Sequence, residues 1–327
     1  MPATLVVAFK PAAGTRAAII EQAKPDIVPV FLADLDAEAR AAALTSATVL
    51  LSYNTGEELR PNEPALLGGA RLIQFMTAGV DFVPLSQLPP HVPVASNGGA
   101  YAEPMAEHAL AMTLAAAKRL LIEHDALAAG TFNQFVRNRM LRGGTCGILG
   151  FGGIGQATAR LMRAVGMRIH AINRSGTTDE PVDWIGTQND LPALLAASDV
   201  LIVSAPLTQR TRGAIGAAEL AAMKPDAILV NLARGELIDE AALFAHLRAH
   251  PKFFACIDAW WVEPVRHGEF RMDHPFATLP NVVGSPHNSA SVPGNVEAGV
   301  RNALSNIRRL LAGETPRYRV GPDERML

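Results

Sequence analysis

The chain has 327 residues, of which 49% are hydrophobic and 18% are charged, and its formal net charge is -2. At about 100–200 residues per domain, this length suggests two domains, and the composition excludes a disordered chain. The small net charge and an aromatic content of 6% argue against a nucleic-acid partner and against binding to an anionic membrane.

Two cysteines, Cys146 and Cys256, lie in apolar runs that resemble strands. We therefore expect two buried, reduced thiols rather than a disulfide or a metal site. The N-terminus lacks the basic start and the apolar stretch of a secretory signal. A run of about 18 apolar residues, as a membrane span needs, is also missing from the sequence. These features predict a cytoplasmic protein that binds neither a metal ion nor a membrane.

The first hundred residues alternate between short apolar runs and helical patterns. The predicted strands are Thr4–Phe9, Ile27–Leu32, Ala47–Ser52, Arg71–Met76 and Val92–Ser96. Thr15–Ala23 and Asp36–Ala43 are predicted helices between the first three strands. Strands separated by helices predict βαβ units and a parallel sheet that is covered on both faces.

The segment Glu103–Leu127 is rich in alanine and leucine and is predicted as one long helix. A helix of this length and apolarity must bury most of its surface. It either bridges two domains or two subunits, or it is an ordinary core helix, and the sequence leaves both alternatives open.

A second series of strands and helices begins at Thr145. The predicted strands are Thr145–Leu149, Arg168–Ile172, Val200–Ser204, Ala227–Asn231, Phe254–Asp258 and Asn281–Gly284. The predicted helices are Ile154–Val165, Leu191–Ala197, Ala217–Met223 and Glu240–His250. Six strands with intervening helices indicate the doubly wound nucleotide-binding fold. A last amphipathic helix, Val292–Ala312, is predicted to end at Gly313.

A glycine-rich loop joins the first strand and helix of this second series. Gly150, Gly152 and Gly155 form the pattern G-x-G-x-x-G, and the strand before it and the helix after it are the context that this motif requires. The first glycine permits a tight turn, the second lets the backbone approach a pyrophosphate, and the third lets helix and strand pack closely. The start of the helix then presents amide groups to the phosphates. The loop predicts a dinucleotide site.

The end of the next strand bears on the choice between NAD and NADP. An NAD enzyme usually has an acidic residue there, which binds the 2′-hydroxyl of the ribose. Here the residues are Asn173, Arg174 and Ser175. Asn173 does not repel a 2′-phosphate, Arg174 is able to pair with it, and Ser175 is able to donate to it. We therefore expect NADP in preference to NAD, the alternative being that Arg174 is simply a solvated loop residue.

Polar residues at the carboxyl ends of three strands suggest the reaction. Arg234, Asp258 and His287 each follow or end a strand, and Glu263 lies in the loop beyond Asp258. Ligands of open α/β sheets bind at this edge. An arginine holds a carboxylate and polarises a neighbouring carbonyl, and a histidine supplies a proton. A carboxylate beside that histidine stabilises its charged form.

These residue types match the reduction of a 2-keto acid to a 2-hydroxy acid. We assign Arg234 to substrate binding, His287 as the acid or base, and Glu263 as the partner of His287. Asp258 is expected to fix either the nicotinamide carboxamide or the local loop. The full set of candidate dinucleotide-binding residues is Gly150, Gly152, Gly153, Ile154, Gly155, Asn173, Arg174, Ser175, Ala205, Pro206, Thr211, Leu232, Ala233, Asp258, His287 and Ser289.

Several segments together resemble the D-isomer-specific 2-hydroxyacid dehydrogenase family. Besides the glycine loop, they are Gln74–Asp81, Met105–Leu110, Pro206–Thr208, Val230–Glu240, Ile257–Asp258, Glu263–Pro264 and Ser285–His287. In order and spacing they cover nearly the whole chain. The resemblance implies the roles given above to Arg234, Glu263 and His287, and it alone implies the D stereochemistry.

The resemblance also implies an architecture of two Rossmann-like parallel-sheet domains. Residues 1–98 and 290–327 would form a discontinuous, flavodoxin-like substrate domain, and residues 99–289 a doubly wound NAD(P)-binding domain with a dimerisation helix. The backbone amides of Ala78 and Gly79 would hold the substrate carboxylate. A homodimer and a small substrate of the glyoxylate or hydroxypyruvate type are further implications.

Some residues depart from the usual family pattern. Trp260 and Trp261 precede Glu263, and they either shape the substrate pocket or pack the loop. Residues 265–274 are unusually charged for this place. The alternatives to a keto-acid reductase are a phosphite dehydrogenase-like enzyme and a nucleotide-sensing protein like the corepressors of this fold, which usually carry long tails. A formate enzyme is disfavoured, because such enzymes usually have glutamine where Glu263 stands.

Overall fold

The computed structural model describes residues 2–325 and divides into two compact units. Unit 1 comprises Met1–Tyr101 and Val292–Leu327, and unit 2 comprises Ala102–Ser291. The boundaries predicted from the sequence, at residues 98–99 and 289–290, lie near these. Within residues 2–325, no helix combines the length and the apolarity that a bilayer span requires.

The strands form two parallel sheets, one in each unit. In chain order they are β1 Ala3–Val7, β2 Ile27–Phe31, β3 Val49–Ser52, β4 Leu72–Phe75, β5 Val94–Ala95, β6 Thr145–Leu149, β7 Arg168–Ile172, β8 Trp184–Gly186, β9 Val200–Val203, β10 Ile228–Asn231, β11 Phe254–Ile257 and β12 Val282–Gly284. Most of their residues are buried, as expected for parallel sheets with helices on both faces.

The helices follow the strands along the chain. They are α1 Ala13–Ala23, α2 Ala37–Thr45, α3 Thr55–Glu58, α4 Ala102–Ala117, α5 Leu120–Ala128, α6 Gly153–Ala164, α7 Leu191–Ala197, α8 Ala217–Ala222, α9 Glu240–Ala249, α10 Pro264–His267, α11 Asn295–Leu311 and α12 Pro322–Arg325. Asp36 and Asp239 cap α2 and α9 with side-chain hydrogen bonds to backbone amides, which satisfies donors that the helix itself leaves open.

Unit 1 has the strand order β2-β1-β3-β4-β5, which is the flavodoxin-like order. The long helix α11 returns to this unit and buries Val300, Ala303, Leu304 and Ile307 in the same core cluster as β1, β3 and β4. Gly313 has a φ of 79° just after this helix, so the predicted end of the helix is confirmed.

Unit 2 has the strand order β12-β11-β10-β9-β6-β7-β8. Counted from β6, this is the doubly wound order of dinucleotide-binding domains, extended by one strand. The predicted α/β architecture is therefore confirmed for both sheets. The sequence predicted six strands in this unit and missed β8, a three-residue edge strand that is too short to show a periodic pattern.

The predicted long helix Glu103–Leu127 is wrong in one respect, because it breaks into α4 and α5. Arg119 has a left-handed backbone with a φ of 54°, which ends the regular helix at this point. Eight residues of α4 are buried, whereas none of α5 is. The first half is thus a core helix of unit 2, and the second half presents Leu120, Leu121 and Leu127 to its exterior.

Candidate active site

The glycine loop between β6 and α6 has the geometry that a phosphate site requires. Gly150 has a φ of 100°, and a Cβ atom there would lie 2.3 Å from the backbone nitrogen of Ala205. A Cβ at Gly155 would lie 2.5 Å from the oxygen of Gly150. At Gly152, by contrast, no atom of the described residues other than its own and those of its two chain neighbours lies within 4 Å of the Cβ position. The loop is therefore closely packed at Gly150 and Gly155, and the space beside Gly152 is open.

Helix α6 begins in this open space. Gly152 is its N-cap residue, and among residues 2–325 no side chain caps the helix. The amides of Gly153, Ile154 and Gly155 therefore meet the opening with the positive end of the helix dipole. Space for a phosphate and uncapped amides at the same point fit the pyrophosphate of a dinucleotide.

The loop after β7 is organised by Asn173. Its Oδ1 atom accepts hydrogen bonds from Ser175 N, at 3.1 Å, and Gly176 N, at 2.7 Å, and its Nδ2 atom donates to Thr177 O at 2.7 Å. The side chain thus folds the loop. Arg174 and Ser175 are exposed. The sequence placed Asn173 among the cofactor-binding residues, at the position of the usual ribose-binding acid, and did not indicate that its amide is used within the loop.

The remaining candidate cofactor residues lie where the predicted strand order puts them. Ala205, Pro206 and Thr211 follow β9, and Leu232 and Ala233 follow β10. Thr211 Oγ1 donates to Pro206 O at 2.7 Å and accepts from Thr208 N at 2.8 Å. Its side chain closes the loop in which it lies.

His287 and Glu263 form a direct pair at the carboxyl ends of β12 and β11. The Nδ1 atom of His287 lies 2.8 Å from both carboxylate oxygens of Glu263. Because a carboxylate only accepts hydrogen bonds, the hydrogen is on Nδ1. Glu263 also accepts from Trp260 N at 2.7 Å and is buried, with 8% of its side chain exposed. The carboxylate is held in place from two sides.

The electrostatics of Glu263 favour its charged form. Burial by itself raises the pKa of this carboxyl group, but the hydrogen bond and the charge of His287, the amide of Trp260 and the charge of Arg234 together hold the pKa below its ordinary value. Arg234 follows β10, and its Nη1 atom donates to Ala233 O at 2.7 Å. Of the three residues that the sequence assigned to catalysis, His287 and Arg234 thus both lie close enough to Glu263 to lower the pKa of its carboxyl group.

Asp258 is fully buried and binds the loop that carries His287. Its carboxylate accepts hydrogen bonds from Ser285 Oγ at 2.6 Å, Asn288 N at 3.2 Å and Ser289 N at 3.4 Å. Of the two roles expected for Asp258, these contacts support the fixing of the local loop. The hydroxyl of Ser289 is buried without a hydrogen-bond partner among the described residues, and it is therefore a polar atom that a bound group would satisfy.

His108 extends this network, which sequence spacing did not reveal. Its Nε2 atom lies 2.9 Å from Ser285 Oγ and 3.7 Å from Asp258 Oδ1. Since the Ser285 hydroxyl donates to Asp258, it accepts from His108. His108 lies on α4, far along the chain from Ser285.

Trp260 and Trp261 pack the loop of Glu263. The indole of Trp260 donates to Ser285 O and that of Trp261 donates to Ile238 O, both at 2.8 Å. Trp261 also stacks on Phe276 at 5.3 Å between ring centroids. Within unit 2, both tryptophans support the site and belong to its framework.

The predicted substrate-binding residues Ala78 and Gly79 lie in unit 1. They are half-buried in the loop that follows β4. The backbone just before them is fixed, because Asn97 N donates to Thr77 O at 2.7 Å. No group of three or more His, Cys, Asp or Glu side chains is arranged as a metal site within residues 2–325.

Comparison with known proteins places the chain in a family. The model of the D-isomer specific 2-hydroxyacid dehydrogenase NAD binding domain matches residues 110–289, which is more than half of the chain. The chain belongs to this family. These residues include the glycine loop and the Arg234, Glu263 and His287 positions, so unit 2 is a nicotinamide dinucleotide-binding domain.

Two related proteins and one solved structure illustrate the similarity. D-3-Phosphoglycerate dehydrogenase of Methanocaldococcus jannaschii is 33% identical over 64% of this chain and 39% of that protein. Glyoxylate reductase of Aeropyrum pernix is 35% identical over 67% of this chain and 65% of that protein. The matched part of the chain therefore spans less than two thirds of either relative.

The solved structure is that of a D-isomer specific 2-hydroxyacid dehydrogenase from Xanthobacter autotrophicus Py2 in complex with NADPH and MES. It is 25% identical, with a TM-score of 0.79 over 99% of this chain and 100% of that chain. The similarity in fold thus extends over both units.

Proposed function

We propose that the protein is an NADPH-linked reductase that converts a small 2-keto acid of the glyoxylate or hydroxypyruvate type into a D-2-hydroxy acid. The observation that carries this proposal is the pairing of His287 with a buried, ionised Glu263, within the electrostatic reach of Arg234. This combination provides a proton donor and a carboxylate-binding cation at the edge of the sheet that carries the dinucleotide loop. The name of the related glyoxylate reductase supports the substrate class.

Each of the three side chains has a defined task in this reaction. The guanidinium of Arg234 binds the substrate carboxylate as a fork and polarises the neighbouring carbonyl. Bound NADPH supplies the hydride that reaches C2 of the keto acid. The electron pair of the carbonyl moves to its oxygen, which takes a proton from Nε2 of His287. Glu263 stabilises the charged imidazole through Nδ1 and sets the orientation of the ring.

The assay follows absorbance of NADPH, and of NADH in parallel, with glyoxylate, hydroxypyruvate, pyruvate and phenylpyruvate. We expect oxidation of NADPH with glyoxylate or hydroxypyruvate. The His287→Asn variant should lower kcat by about 10²–10⁴-fold, the usual contribution of a general acid. Exposed Glu297→Gln on α11 serves as the control and should retain full activity. The proposal is overturned if none of the four acids is reduced with either cofactor.

The preference for NADPH is assigned to the loop after β7. Asn173 stands where an NAD enzyme usually has an acidic residue, so the loop carries no negative charge there to repel a 2′-phosphate. Arg174 and Ser175 are exposed beside it and are able to donate hydrogen bonds to such a phosphate. The related structure from Xanthobacter autotrophicus, which contains NADPH, is consistent with this choice.

Substitution of Arg174 tests this preference. Arg174→Ala should raise the KM for NADPH about tenfold or more, the equivalent of one charged hydrogen bond, and should leave the KM for NADH unchanged. Exposed Arg301→Ala in unit 1 is the matched control. Equal changes in both KM values would show that Arg174 does not contact the 2′-phosphate.

We further propose that the enzyme is a homodimer formed through α5 and the segment after it. In residues 120–140 seven large apolar side chains are exposed: Leu120, Leu121, Leu127, Phe132, Phe135, Val136 and Met140. The exposed fractions reach 77% for Phe132 and 91% for Phe135. An apolar surface of this extent is typical of a protein–protein interface, and a second copy of the chain is the partner that the family suggests.

A further inference from the structure

We propose that Arg266 and Glu236 are positioning residues that hold the catalytic Arg234 and Glu263 at a fixed separation. This inference rests on the proposed function. Glu236 lies two residues after Arg234, and Arg266 lies three residues after Glu263. The pair therefore joins the Arg234 loop (residues 232–238) to the Glu263 loop (residues 258–267), and we call it the inter-loop clamp.

The clamp is a two-pronged ion pair with little exposure. Arg266 Nη1 donates to Glu236 Oε2 at 2.9 Å, and Nη2 donates to Oε1 at 2.6 Å. Only 11% of the Arg266 side chain and 16% of the Glu236 side chain are exposed. Exposed ion pairs contribute little to the stability of a protein. A shielded pair with two parallel hydrogen bonds, by contrast, fixes both the distance between its two side chains and their relative orientation. Loss of either side chain removes both hydrogen bonds at once.

Other contacts show that the two loops are built to meet. A Cβ atom at Gly235 would lie 2.5 Å from the backbone of Trp260 and Trp261, so only glycine permits this approach. The indole of Trp261 donates to Ile238 O, across the same junction. Because β10 and β11 are neighbouring parallel strands, their following loops start side by side, and these contacts keep them together beyond the sheet.

The turn that carries Arg266 is also bound to the backbone of Glu263, through His267. Glu263 N donates to His267 Nδ1 at 3.0 Å, and His267 N donates to Glu263 O at 2.8 Å. The short turn α10 is thus closed on Glu263 at one end and tied to Glu236 by Arg266. A shift of Arg266 would be transmitted to the backbone that carries the Glu263 carboxylate.

A change in this separation affects the substrate more than the dinucleotide. Arg234 binds the substrate carboxylate and Glu263 orients His287, so both groups must reach one small molecule. A misplacement of about 1 Å is enough to cost about 10²-fold in rate. The dinucleotide phosphates bind at the glycine loop after β6, which neither member of the clamp contacts among the interactions described above.

The test compares Arg266→Gln, Glu236→Gln and the exchanged pair Glu236→Arg/Arg266→Glu in the full-length protein. Each single variant should lower kcat/KM for glyoxylate about 10- to 100-fold, with a smaller change in the KM for NADPH, whose phosphates bind at the glycine loop. The exchanged pair should regain most of the lost activity, because the ion pair re-forms with its charges reversed. Exposed Arg271→Gln in the same segment is the control, since 57% of this side chain is exposed.

Hydrogen–deuterium exchange of the same variants provides a readout that does not need turnover. Backbone exchange should rise in residues 232–238 and 258–267 of both single variants and return toward the wild-type level in the exchanged pair. If the wild type reduces glyoxylate and the single variants do so equally well, the clamp has no positioning role although the proposed function stands. If the wild type reduces no keto acid, the proposed function fails, and unchanged exchange in the single variants would then refute the clamp separately.

Discussion

His287 is held in a left-handed backbone conformation, with a φ of 51°. A non-glycine residue in this region stores about 1–3 kcal/mol, and it persists only where the surroundings maintain it. Here the conformation is maintained by the fully buried carboxylate of Asp258, which accepts hydrogen bonds from the amides of Asn288 and Ser289 and from the hydroxyl of Ser285. Residues on both sides of His287 are thus bound to one group, and the imidazole is directed toward Glu263.

The charge of Glu263 is testable at the scale of this single residue. Glu263→Gln keeps the shape and one acceptor for Nδ1 of His287, but it removes the negative charge. In the wild type the pKa of Glu263 is below its ordinary value, so its carboxylate stays ionised as pH falls to about 5. At about pH 5 and above, the substitution therefore removes a negative charge that the wild type holds beside His287.

We expect kcat for keto-acid reduction to fall about 10- to 100-fold in Glu263→Gln, because the imidazole that donates the proton has lost its charged partner. The measurement is kcat at neutral pH for wild type, Glu263→Gln and the exposed control Glu297→Gln. A kcat of Glu263→Gln equal to that of the wild type would contradict the assigned role.

At the scale of elements, a buried ion pair fixes helix α2 in unit 1. Arg40 Nε and Nη2 donate to the two carboxylate oxygens of Glu63 at 2.8 and 2.7 Å, and Nη1 donates to Leu32 O at 3.2 Å. Only 10% and 7% of these side chains are exposed. The hydrogen bond from Arg40 is the main cause that lowers the pKa of Glu63, and burial opposes it.

Arg40→Met should destabilise unit 1 by about 1.5–3 kcal/mol at neutral pH, because it removes two charged hydrogen bonds from the buried Glu63 carboxylate and leaves it only the amide and the more distant guanidinium of Arg60. Since the folded pKa of Glu63 is lowered, the stabilisation by the pair is present above the ordinary glutamate pKa and is lost as pH falls through the lower folded value. The difference between wild type and variant should therefore shrink below about pH 4.

Denaturant unfolding at neutral pH and at about pH 3.5 checks this expectation. Lys24→Met, which removes an exposed pair with Glu21, is the control and should change stability little. A difference between Arg40→Met and wild type that is independent of pH would show that packing of the long side chain, rather than the charge pair, fixes the helix.

The break between α4 and α5 is a feature that the local amino-acid composition does not predict. The alanine- and leucine-rich pattern continues through Lys118 and Arg119, so nothing local predicts a stop. The structure bends the chain there because the end of α4 is bound by a later segment: Arg139 N donates to Ala117 O, and Lys118 Nζ donates to Arg139 O. Both contacts join residues about 20 positions apart, which a helical period does not register.

At the scale of the whole molecule, the segment after α5 is anchored to unit 2 through Arg139, while its apolar side chains are exposed. Arg139 Nη2 bonds Asp199 Oδ1 at 2.9 Å, and Lys224 Nζ lies 3.0 Å from the same oxygen. Phe132 and Phe135 nonetheless remain exposed. A segment that is anchored while its aromatic side chains face outward is suited to an interface with a second copy.

Substitution of this surface tests the dimer. Leu121→Glu and Phe135→Glu should convert a dimer into a monomer, because each places a charge in an apolar interface. Sedimentation or light scattering of the purified protein measures the mass, with exposed Ile20→Glu on α1 as the control. A wild-type protein that has the mass of one chain at all concentrations would refute the proposed dimer.

The sequence by itself determined the two series of strands and helices, the glycine loop and the positions of Arg234, Glu263 and His287 at strand ends. These features are local, because strand period, turn residues and short motifs act within a few neighbouring positions. Only the tertiary structure decided that His108 of α4 joins Asp258 through Ser285 and that Arg266 pairs with Glu236. These contacts depend on which helices and strands are neighbours in unit 2, and a local pattern does not encode that arrangement.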